Sequence, residues 1–297
     1  MFLRKKNFIS WFLLLPLLLF VTELAYGENA ILRQEGSLKM AGGTAHIPFM
    51  QDLARDLHKK NPKLKILIAG GGSGVGVQQL GLGLIDIANT GRPLSHEEKH
   101  RHGLISYPIA LDAIVLVVHP TNPLADLSRQ KAQSIFSGTT LTWENIPGNK
   151  SIHTYVRDEA SGTQVIFIEK ILTGKKLAPY ANFTNSQGAM KLAVSQDPAG
   201  IGFLSYGYLD SSVKAIHFDG VKAELKTIQK KSYPLVRELY IHTKKNPSPL
   251  VKSFIEYALS PSSAPAIASY GLVPIYASTD RVCKPPCSLP NPLPHVE

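Results

Sequence analysis

Short apolar runs alternate with amphipathic stretches along most of the chain, and this rhythm restricts the fold more than any other feature of the sequence. Apolar runs of strand length occur at Lys65–Ala69, Ile85–Ala88, Ala113–Val118, Ile152–Val156 and Leu239–His242. Several are apolar without interruption, as strands buried on both faces of a parallel sheet are. Apolar residues with helical spacing occur at Pro48–His58, Thr163–Thr173 and Pro249–Leu259. The alternation predicts an α/β fold.

The beginning of the chain has the three parts of a secretory signal peptide. The cations of Arg4-Lys5-Lys6 precede an apolar run, Trp11–Val21. This run is shorter than the roughly 18–20 residues of a membrane-spanning helix. Ala25-Tyr26-Gly27 then supplies the small residues of a cleavage site. We expect residues 1–27 to be removed after Gly27 and the rest of the chain to be exported to the periplasm.

Charge and cysteine content narrow the function classes further. The formal net charge is +10, but the cations are scattered, with no basic helix and no alternation of aromatic and basic residues. This distribution argues against a nucleic-acid-binding module. Cys283 and Cys287 flank two prolines near the end of the sequence, where a disulfide would close only a small loop. We expect residues 281–297 to form a proline-rich tail.

The sequence contains no long Gly/Ser-rich linker between two halves. We therefore expect the chain to pass between two lobes on extended strands, with crossings at Tyr107–Ala113 and Tyr233–Leu239. Lobe I then comprises residues 28–112 and 234–280, and lobe II comprises residues 113–233.

Three clusters of Gly, Ser and Thr recur, each directly before a predicted helix: Gly42–Ala45, Gly70–Gly74 and Ala160–Thr163. A helix N terminus carries unpaired N–H groups and a partial positive charge, so it can hold an oxyanion. Glycines let the backbone come close, and hydroxyls add donors. Arg157 precedes the third cluster, and its planar fork suits two oxygens of a tetrahedral anion. Glu159 is suited to holding that guanidinium.

Each cluster taken alone also fits an ordinary tight turn whose Ser or Thr caps a helix. Three clusters and an arginine in an exported α/β chain favour an anion site. Other glycine motifs do not match. Residues 70–79 lack both the G-x-G-x-x-G spacing and a following Gly-Lys-Ser/Thr, and Val75 stands where a nucleophile elbow around Ser73 needs glycine.

In order and spacing, these motifs resemble the periplasmic phosphate-binding proteins of phosphate ABC transporters, in particular their shorter form. The resemblance extends from about Leu38 to Ile275 and rests on Ala41–Thr44 with Pro48, Gly70–Gly74, Asp86–Arg92, Ile135–Gly138 with Trp143, Arg157–Thr163 and Ile201–Gly207. It implies a two-lobed periplasmic binding protein fold of type II. Each lobe is then a mixed sheet flanked by helices, and hinge strands let the lobes close on the anion.

Carried over position by position, the resemblance also implies site residues. The implied phosphate contacts are Thr44 and the Ala45 backbone in the first loop, Ser73 in the second, and Arg157, Ser161, Gly162 and Thr163 in the third. Supporting positions are Gly43, Gly72, Gly74, Thr90 and Glu159.

Two positions depart from the family pattern. Gly91 stands where the longer form has an aspartate that accepts a proton from the anion, and Ala160 replaces a common glycine. An acceptor favours protonated phosphate over fully ionised sulfate. Binding of another tetrahedral oxyanion such as sulfate therefore stays an alternative, as does phosphate sensing without transport.

An alternative of a different class rests on His96-Glu97-Glu98-Lys99-His100, which matches H-E-x-x-H. On a helix this spacing places His96 and His100 on one face to hold zinc, with Glu97 as general base, as in a zinc peptidase. However, Ser95 and Glu98 form a capping box, and the motif is rich in charge. We therefore favour a short exposed helix without a metal.

The resemblance implies an exported monomer that captures inorganic phosphate and delivers it to the permease and ATPase of an ABC transporter. It implies no enzymatic activity, no cofactor and no nucleic-acid partner.

Overall fold

The computed structural model describes residues 30–144 and 150–276. The predicted signal peptide, the Cys283 and Cys287 pair and the proline-rich tail therefore lie outside the described residues.

The first part of the described chain is an alternation of strands and helices. Its elements are β1 (Gly36–Gly42), a 3₁₀ turn (Thr44–His46), α1 (Ile47–Lys60), β2 (Leu64–Gly71), α2 (Ser73–Gly81), β3 (Ile87–Thr90), α3 (His96–His102) and β4 (Leu104–Val118). Helix α1 follows from its apolar spacing, because Phe49, Leu53 and Leu57 are all buried on one face.

The middle part continues the alternation with shorter elements. They are β5 (Asp126–Leu127), α4 (Arg129–Phe136), β6 (His153–Arg157), α5 (Gly162–Phe167), β7 (Asn182–Thr184), α6 (Gln187–Ser195), β8 (Gly200–Ser205), β9 (Lys214–Ala215), β10 (His217–Phe218) and α7 (Leu225–Gln229). Helix α5 continues as a π-helical turn, Ile168–Leu172, and ends at Thr173 with a φ of 45°. Together these two helical segments overlap the predicted helix Thr163–Thr173.

The last part returns to the sheet and consists of β11 (Val236–Lys244), α8 (Pro249–Ala258), α9 (Ala264–Ala268) and β12 (Val273–Pro274). Strand β11 contains the predicted run Leu239–His242, and α8 contains all but the last residue of the predicted helix Pro249–Leu259. None of the helices formed by residues 30–144 and 150–276 is long and apolar enough to cross a bilayer.

One mixed sheet connects most strands in the order β2-β1-β3-β11-β4-β8-β6-β7, with β9 and β12 also paired to β4. The pairs at the two ends, such as β1 with β2 and β6 with β8, are parallel. At the centre, β11 runs antiparallel to both β3 and β4. The strands expected to pair in parallel therefore do so at the ends of the sheet, whereas the strands at its centre pair antiparallel.

Two large apolar cores flank this centre, and a third, smaller cluster contains Val77, Leu80 and Leu104. One core spans residues Leu111 to Leu235, and in it the Phe167 and Phe203 rings stack with centroids 3.9 Å apart. The other combines residues Ile31 to Ala110 with residues Leu239 to Leu272. Strands β4 and β11 connect the two cores as a paired ladder, in which Asp112 is the direct partner of Arg237. The two segments expected to cross between lobes fall in and next to these strands.

Candidate anion-binding site

The first loop leaves the end of β1 and turns directly into the 3₁₀ turn. Gly42 has a φ of 130°, and a Cβ on it would lie 2.3 Å from the Asn89 carbonyl oxygen, so only glycine fits there. Gly43 donates its N–H to that same oxygen at 2.7 Å and begins the turn without any side-chain cap. Thr44 follows and is buried.

The second loop connects β2 to α2. Gly72 precedes the helix with a φ of 90° and again offers no side-chain cap. A Cβ on Gly72 would lie 2.7 Å from the Ala160 carbonyl oxygen, so this glycine allows the second and third loops to meet. Ser73, the first residue of α2, is fully buried, and its Oγ accepts a hydrogen bond from the Gly91 N–H at 3.1 Å.

The third loop connects β6 to α5 and begins with Arg157, which is 1 % exposed. Its Nε donates to the Thr184 carbonyl at 3.1 Å and its Nη2 to the Asn185 carbonyl at 3.0 Å. Burial lowers the pKa of this guanidinium, and the charge of Asp158 opposes the shift. Two carbonyls therefore fix the fork while leaving Nη1 without an acceptor among the described residues.

The prediction that Glu159 holds the Arg157 guanidinium is wrong, because the preceding residue, Asp158, lies beside it. Glu159 is exposed, whereas Asp158 Oδ2 lies 3.8 Å from Arg157 Nη2. The reason is backbone direction, because the turn after β6 carries the Glu159 side chain to the surface. Ala160 tolerates its Cβ without a positive φ, and its carbonyl accepts the Gly74 N–H at 2.9 Å.

The three loops enclose one small cavity. All seven residues expected to contact the anion line it, and three glycines complete the lining: Thr44, Ala45, Ser73, Arg157, Ser161, Gly162 and Thr163, with Gly43, Gly72 and Gly91. Its polar side chains are thus four hydroxyls and one guanidinium, the donor set that an oxyanion requires.

Thr90, a predicted supporting residue, does not line the cavity. Its Oγ1 donates to the Arg92 carbonyl at 2.6 Å and lies 2.6 Å from His242 Nε2. His46, next to the first loop, is also fully buried, with Nε2 3.1 Å from the Tyr240 carbonyl. Burial lowers the pKa values of His46 and His242 to about 3. Both imidazoles are therefore neutral at physiological pH.

Sequence reasoning missed a second arginine at the site. Arg237 Nε lies 2.9 Å and Nη2 2.8 Å from Asp112 Oδ2, and both side chains are almost fully buried. Arg237 Nη1 also donates to the Thr163 hydroxyl at 2.8 Å and to the Gly91 carbonyl at 3.3 Å. The one available signal was Asp112 itself, a lone carboxylate within a long apolar strand, which needs a buried partner.

Two further polar residues reach the cavity loops from the middle part of the chain. The Gln187 N–H donates to Thr44 Oγ1 at 3.3 Å, and Gln187 Nε2 donates to Thr163 Oγ1 at 2.9 Å. The Tyr208 hydroxyl donates to the Thr44 carbonyl at 2.8 Å. These contacts join the first loop to the residues that follow β7 and β8, and no sequence motif indicates them.

The H-E-x-x-H motif lies on α3, away from the cavity, and the expected capping box of Ser95 and Glu98 is present. Glu98 binds the Arg92 guanidinium through both oxygens at 2.7 Å, and Glu97 pairs with Arg101. Within the described residues, no group of three or more His, Cys, Asp or Glu could hold a metal ion. The motif is therefore a capped surface helix.

Comparison with known proteins gives a family match over most of the chain. The model of the PBP superfamily domain matches residues 28–262. The chain belongs to the PBP superfamily. Among curated relatives, the phosphate-binding protein PstS of Bacillus subtilis is 29 % identical over 261 residues, covering 86 % of this chain and 85 % of the relative.

Two solved structures have the same fold. A putative phosphate ABC transporter substrate-binding protein from Clostridium perfringens, with bound phosphate, matches with a TM-score of 0.77 and 30 % identity, covering 81 % of this chain and 100 % of that one. An ABC-type phosphate transport receptor from Vibrio cholerae matches with a TM-score of 0.67 and 29 % identity, covering 80 % and 100 %.

These matches confirm the expected two-lobed α/β fold and the resemblance to the substrate-binding proteins of phosphate ABC transporters. This PBP superfamily member is accordingly a solute-binding protein and not an enzyme.

Proposed function

We propose that the chain is an exported binding protein that captures inorganic phosphate between its two lobes and delivers it to the permease and ATPase of an ABC transporter. The observation that carries this proposal is the convergence of three separate loops on one cavity whose polar side chains are four hydroxyls and Arg157. The similarity to relatives named for phosphate supports phosphate as the anion.

The roles of the site residues follow from their chemistry. Arg157 supplies a buried positive charge and charge-assisted hydrogen bonds, which are stronger than neutral ones. Thr44, Ser73, Ser161 and Thr163 supply hydroxyl donors, and the backbone at Ala45 and Gly162 supplies N–H groups at the starts of helical turns. Gly43 and Gly72 lack the Cβ that would crowd neighbouring residues, and Gly74 joins the second loop to the third through its N–H bond to the Ala160 carbonyl.

The two lobes that we propose are residues 28–112 with 234–280, and residues 113–233. Hydrogen bonds cross between them beside the cavity, from the Gly74 N–H to the Ala160 carbonyl and from the Tyr208 hydroxyl to the Thr44 carbonyl. Rotation about the paired β4 and β11 strands would open the cavity for entry and release of the anion. We also propose that the protein acts as a monomer after removal of the signal peptide at Gly27.

Calorimetric titration of the purified chain with inorganic phosphate tests the proposal. We expect one phosphate per chain and a rise in Tm with phosphate concentration, since a ligand that binds only the native state stabilises it by mass action. Zinc chelators should leave both results unchanged. Absence of phosphate binding, or loss of stability on chelation, would contradict the proposal.

Two matched glycine substitutions locate the site. A Cβ on Gly162 would lie 2.3 Å from Ser73 Oγ, so Gly162→Ala should prevent the loops from closing and weaken phosphate binding about tenfold or more. Gly188, in helix α6, has open space where a Cβ would stand, so Gly188→Ala serves as the control with unchanged affinity. Equal effects of the two substitutions would place the binding site elsewhere.

Delivery to a transporter is tested separately, by phosphate uptake in cells that hold the permease and ATPase. We expect uptake at low phosphate concentration to require the chain and to be lost with Gly162→Ala. Normal binding in solution without any effect on uptake would favour a sensory role.

A further inference from the structure

A second cavity lies beside the paired β4 and β11 strands, and we call it the hinge cavity. Its volume is about 370 Å³, and the sites of small molecules begin at roughly 300 Å³. Its walls come from segments far apart in the chain, and they include Arg92, Pro93, Ile166, Lys170, Tyr233 and Val236. The described residues that line it all differ from those that line the anion cavity.

Much of the hinge cavity is lined by apolar side chains. Leu111 and Val236 lie on the two hinge strands, and Ile166 lies on α5. Tyr233 belongs to the same lining, and its hydroxyl already donates to the Ile114 carbonyl at 3.2 Å. A ligand therefore meets aliphatic surface and an aromatic residue, as is usual in the pockets that bind small organic molecules.

The charged groups of the lining are mostly cations. Three of the four lining cations have a carboxylate partner, and the pairs are Arg92 with Glu98, Arg237 with Asp112 and Lys231 with Glu238. The fourth cation, Lys170, forms no ion pair within residues 30–144 and 150–276. The lining thus carries one positive charge that no carboxylate of these residues balances at close range.

Lys170 is held at the wall of the hinge cavity by two backbone carbonyls. Its Nζ donates to the Val236 carbonyl at 3.0 Å and to the Pro234 carbonyl at 3.5 Å. An ammonium group has three N–H donors, so one remains for a ligand. Burial lowers the pKa of Lys170, and the charge of Glu169 opposes this shift. A negative group beside Nζ would use the third donor and offset the cost of burial.

We propose that the hinge cavity binds a small carboxylate with an apolar chain or ring, and that this ligand tightens phosphate binding at the three loops. The carboxylate accepts a hydrogen bond from Lys170 Nζ, and the apolar part packs against Leu111, Ile166 and Val236. An inorganic anion would leave these apolar walls without contacts. A neutral apolar molecule would leave the ammonium without a counter-ion.

The effect on phosphate, which rests on the proposed function, follows from the position of the hinge cavity. Arg92 and Pro93 belong to the first proposed lobe, whereas Ile166 and Lys170 belong to the second. A ligand that contacts both walls loses one set of contacts when the lobes rotate apart. It therefore binds the closed arrangement better and shifts the population towards it.

Arg237 connects the two cavities directly. It lines the hinge cavity, and its Nη1 donates to the Thr163 hydroxyl of the anion cavity at 2.8 Å. Contacts with a ligand therefore restrain a side chain that also holds a phosphate-binding residue. Because coupling between two binding sites is reciprocal, phosphate tightens carboxylate binding by the same factor.

Calorimetric titration of the full chain with sodium hexanoate tests the site. Hexanoate should bind with a Kd of about 1 mM or tighter. Hexanamide has the same chain without the charge and should bind about tenfold more weakly. Saturating hexanoate should raise phosphate affinity about fivefold, and saturating phosphate should raise hexanoate affinity equally. Hexanoate bound in the anion cavity would instead be displaced by phosphate.

Lys170→Met tests the ammonium, because methionine keeps an apolar chain and removes the charge. Hexanoate affinity should fall about tenfold or more, and the fivefold gain in phosphate affinity should be lost. Lys252→Met is the matched control, since Lys252 is exposed on α8 and does not line the hinge cavity. Both effects of hexanoate should persist in that variant.

Three results would overturn the inference while leaving phosphate capture intact: no binding of hexanoate at about 10 mM, equal affinities for hexanoate and hexanamide, or weakening of phosphate binding by hexanoate. Unchanged hexanoate binding in folded Lys170→Met would overturn it as well. If that variant does not fold, the hexanamide comparison and the two reciprocal titrations of the unmodified chain still decide. Absence of phosphate binding would overturn the proposed function and, with it, the coupling.

Discussion

Helices that begin at the cavity differ from helices that begin elsewhere on the surface in how their first N–H groups are satisfied. Away from the cavity, three helices begin after a serine whose side chain accepts the N–H of the third helical residue, namely Ser95, Ser128 and Ser248. At the cavity, Gly43 and Gly72 hold this position and provide no cap.

The difference shows how similar clusters of small residues serve two purposes. A serine cap satisfies the helix internally and stabilises it by about 1 kcal/mol. A glycine at the same position leaves the N–H groups and their partial positive charge for a ligand. Ser161 combines both, because it caps α5 and also lines the cavity. A glycine in place of a capping serine thus marks two of the three loops at the cavity, whereas the third loop keeps its serine cap.

The largest effect on phosphate binding is expected when Arg157 is replaced. Its guanidinium carries a full positive charge, whereas uncapped N–H groups carry only a partial one. Arg157→Ala should weaken phosphate binding by about 3 kcal/mol, or about a hundredfold, because charge-assisted bonds in a buried site are lost. Arg157→Lys keeps the charge without the bidentate fork and should lose less. Calorimetric titration measures both. If the two variants lose the same amount, the planar geometry of the guanidinium is the decisive property instead of its charge.

The pH dependence of stability should distinguish the buried histidines near the cavity from an exposed histidine on a surface helix. His46 and His242 have pKa values of about 3 in the folded protein, below the ordinary 6.5. The unfolded chain binds protons below about pH 6.5 that the folded protein does not, so stability is complete above that pH and falls as the pH drops towards 3.

The loss should be roughly 2 kcal/mol for each histidine at about pH 5. Denaturant unfolding at neutral and acidic pH measures it. His242→Gln should make the dependence shallower, while His96→Gln on the exposed helix α3 serves as the control. An equal pH dependence in all three proteins would assign the loss to other groups.

A pair of serine substitutions tests the comparison directly. Ser161→Ala removes a cavity donor and a cap, so it should cost about 1 kcal/mol in phosphate affinity as well as some stability. Ser128→Ala removes a cap alone and should lower stability by about 1 kcal/mol without changing affinity. Titration and denaturant unfolding of both variants separate the effects, and a loss of affinity in Ser128→Ala would contradict the distinction.

The smallest effect is expected for cations on the surface. Lys59 is exposed and pairs with Asp56 at 3.7 Å, and Lys230 is exposed as well. Changing either to Gln should leave phosphate affinity within about 0.5 kcal/mol, with a slight change in salt dependence. Losses as large as that of Arg157→Ala would mean that the general positive charge attracts the anion.

Most of the fold and the direct lining of the cavity could be predicted, because both depend on local pattern. Apolar spacing indicated α1 and α8, and the loop motifs indicated Ser73 and Arg157. Contacts between distant segments could not be predicted. Arg237 meets Asp112 only because two strands far apart in the sequence pair in one register. The course of the backbone after β6 likewise decides whether Asp158 or Glu159 faces Arg157. The spacing of residues in the sequence does not determine that course.

Strand β4 has a consequence for how the protein unfolds. Its 15 residues contribute Ile109 and Ala110 to one core, and Leu111 and Ala113 to Val118 to the other, so that one strand belongs to both. Loss of either core therefore frees one end of a ladder that the other core needs. We expect the two halves to melt in a single cooperative transition, with the calorimetric and van't Hoff enthalpies equal, although each half has an apolar interior of its own.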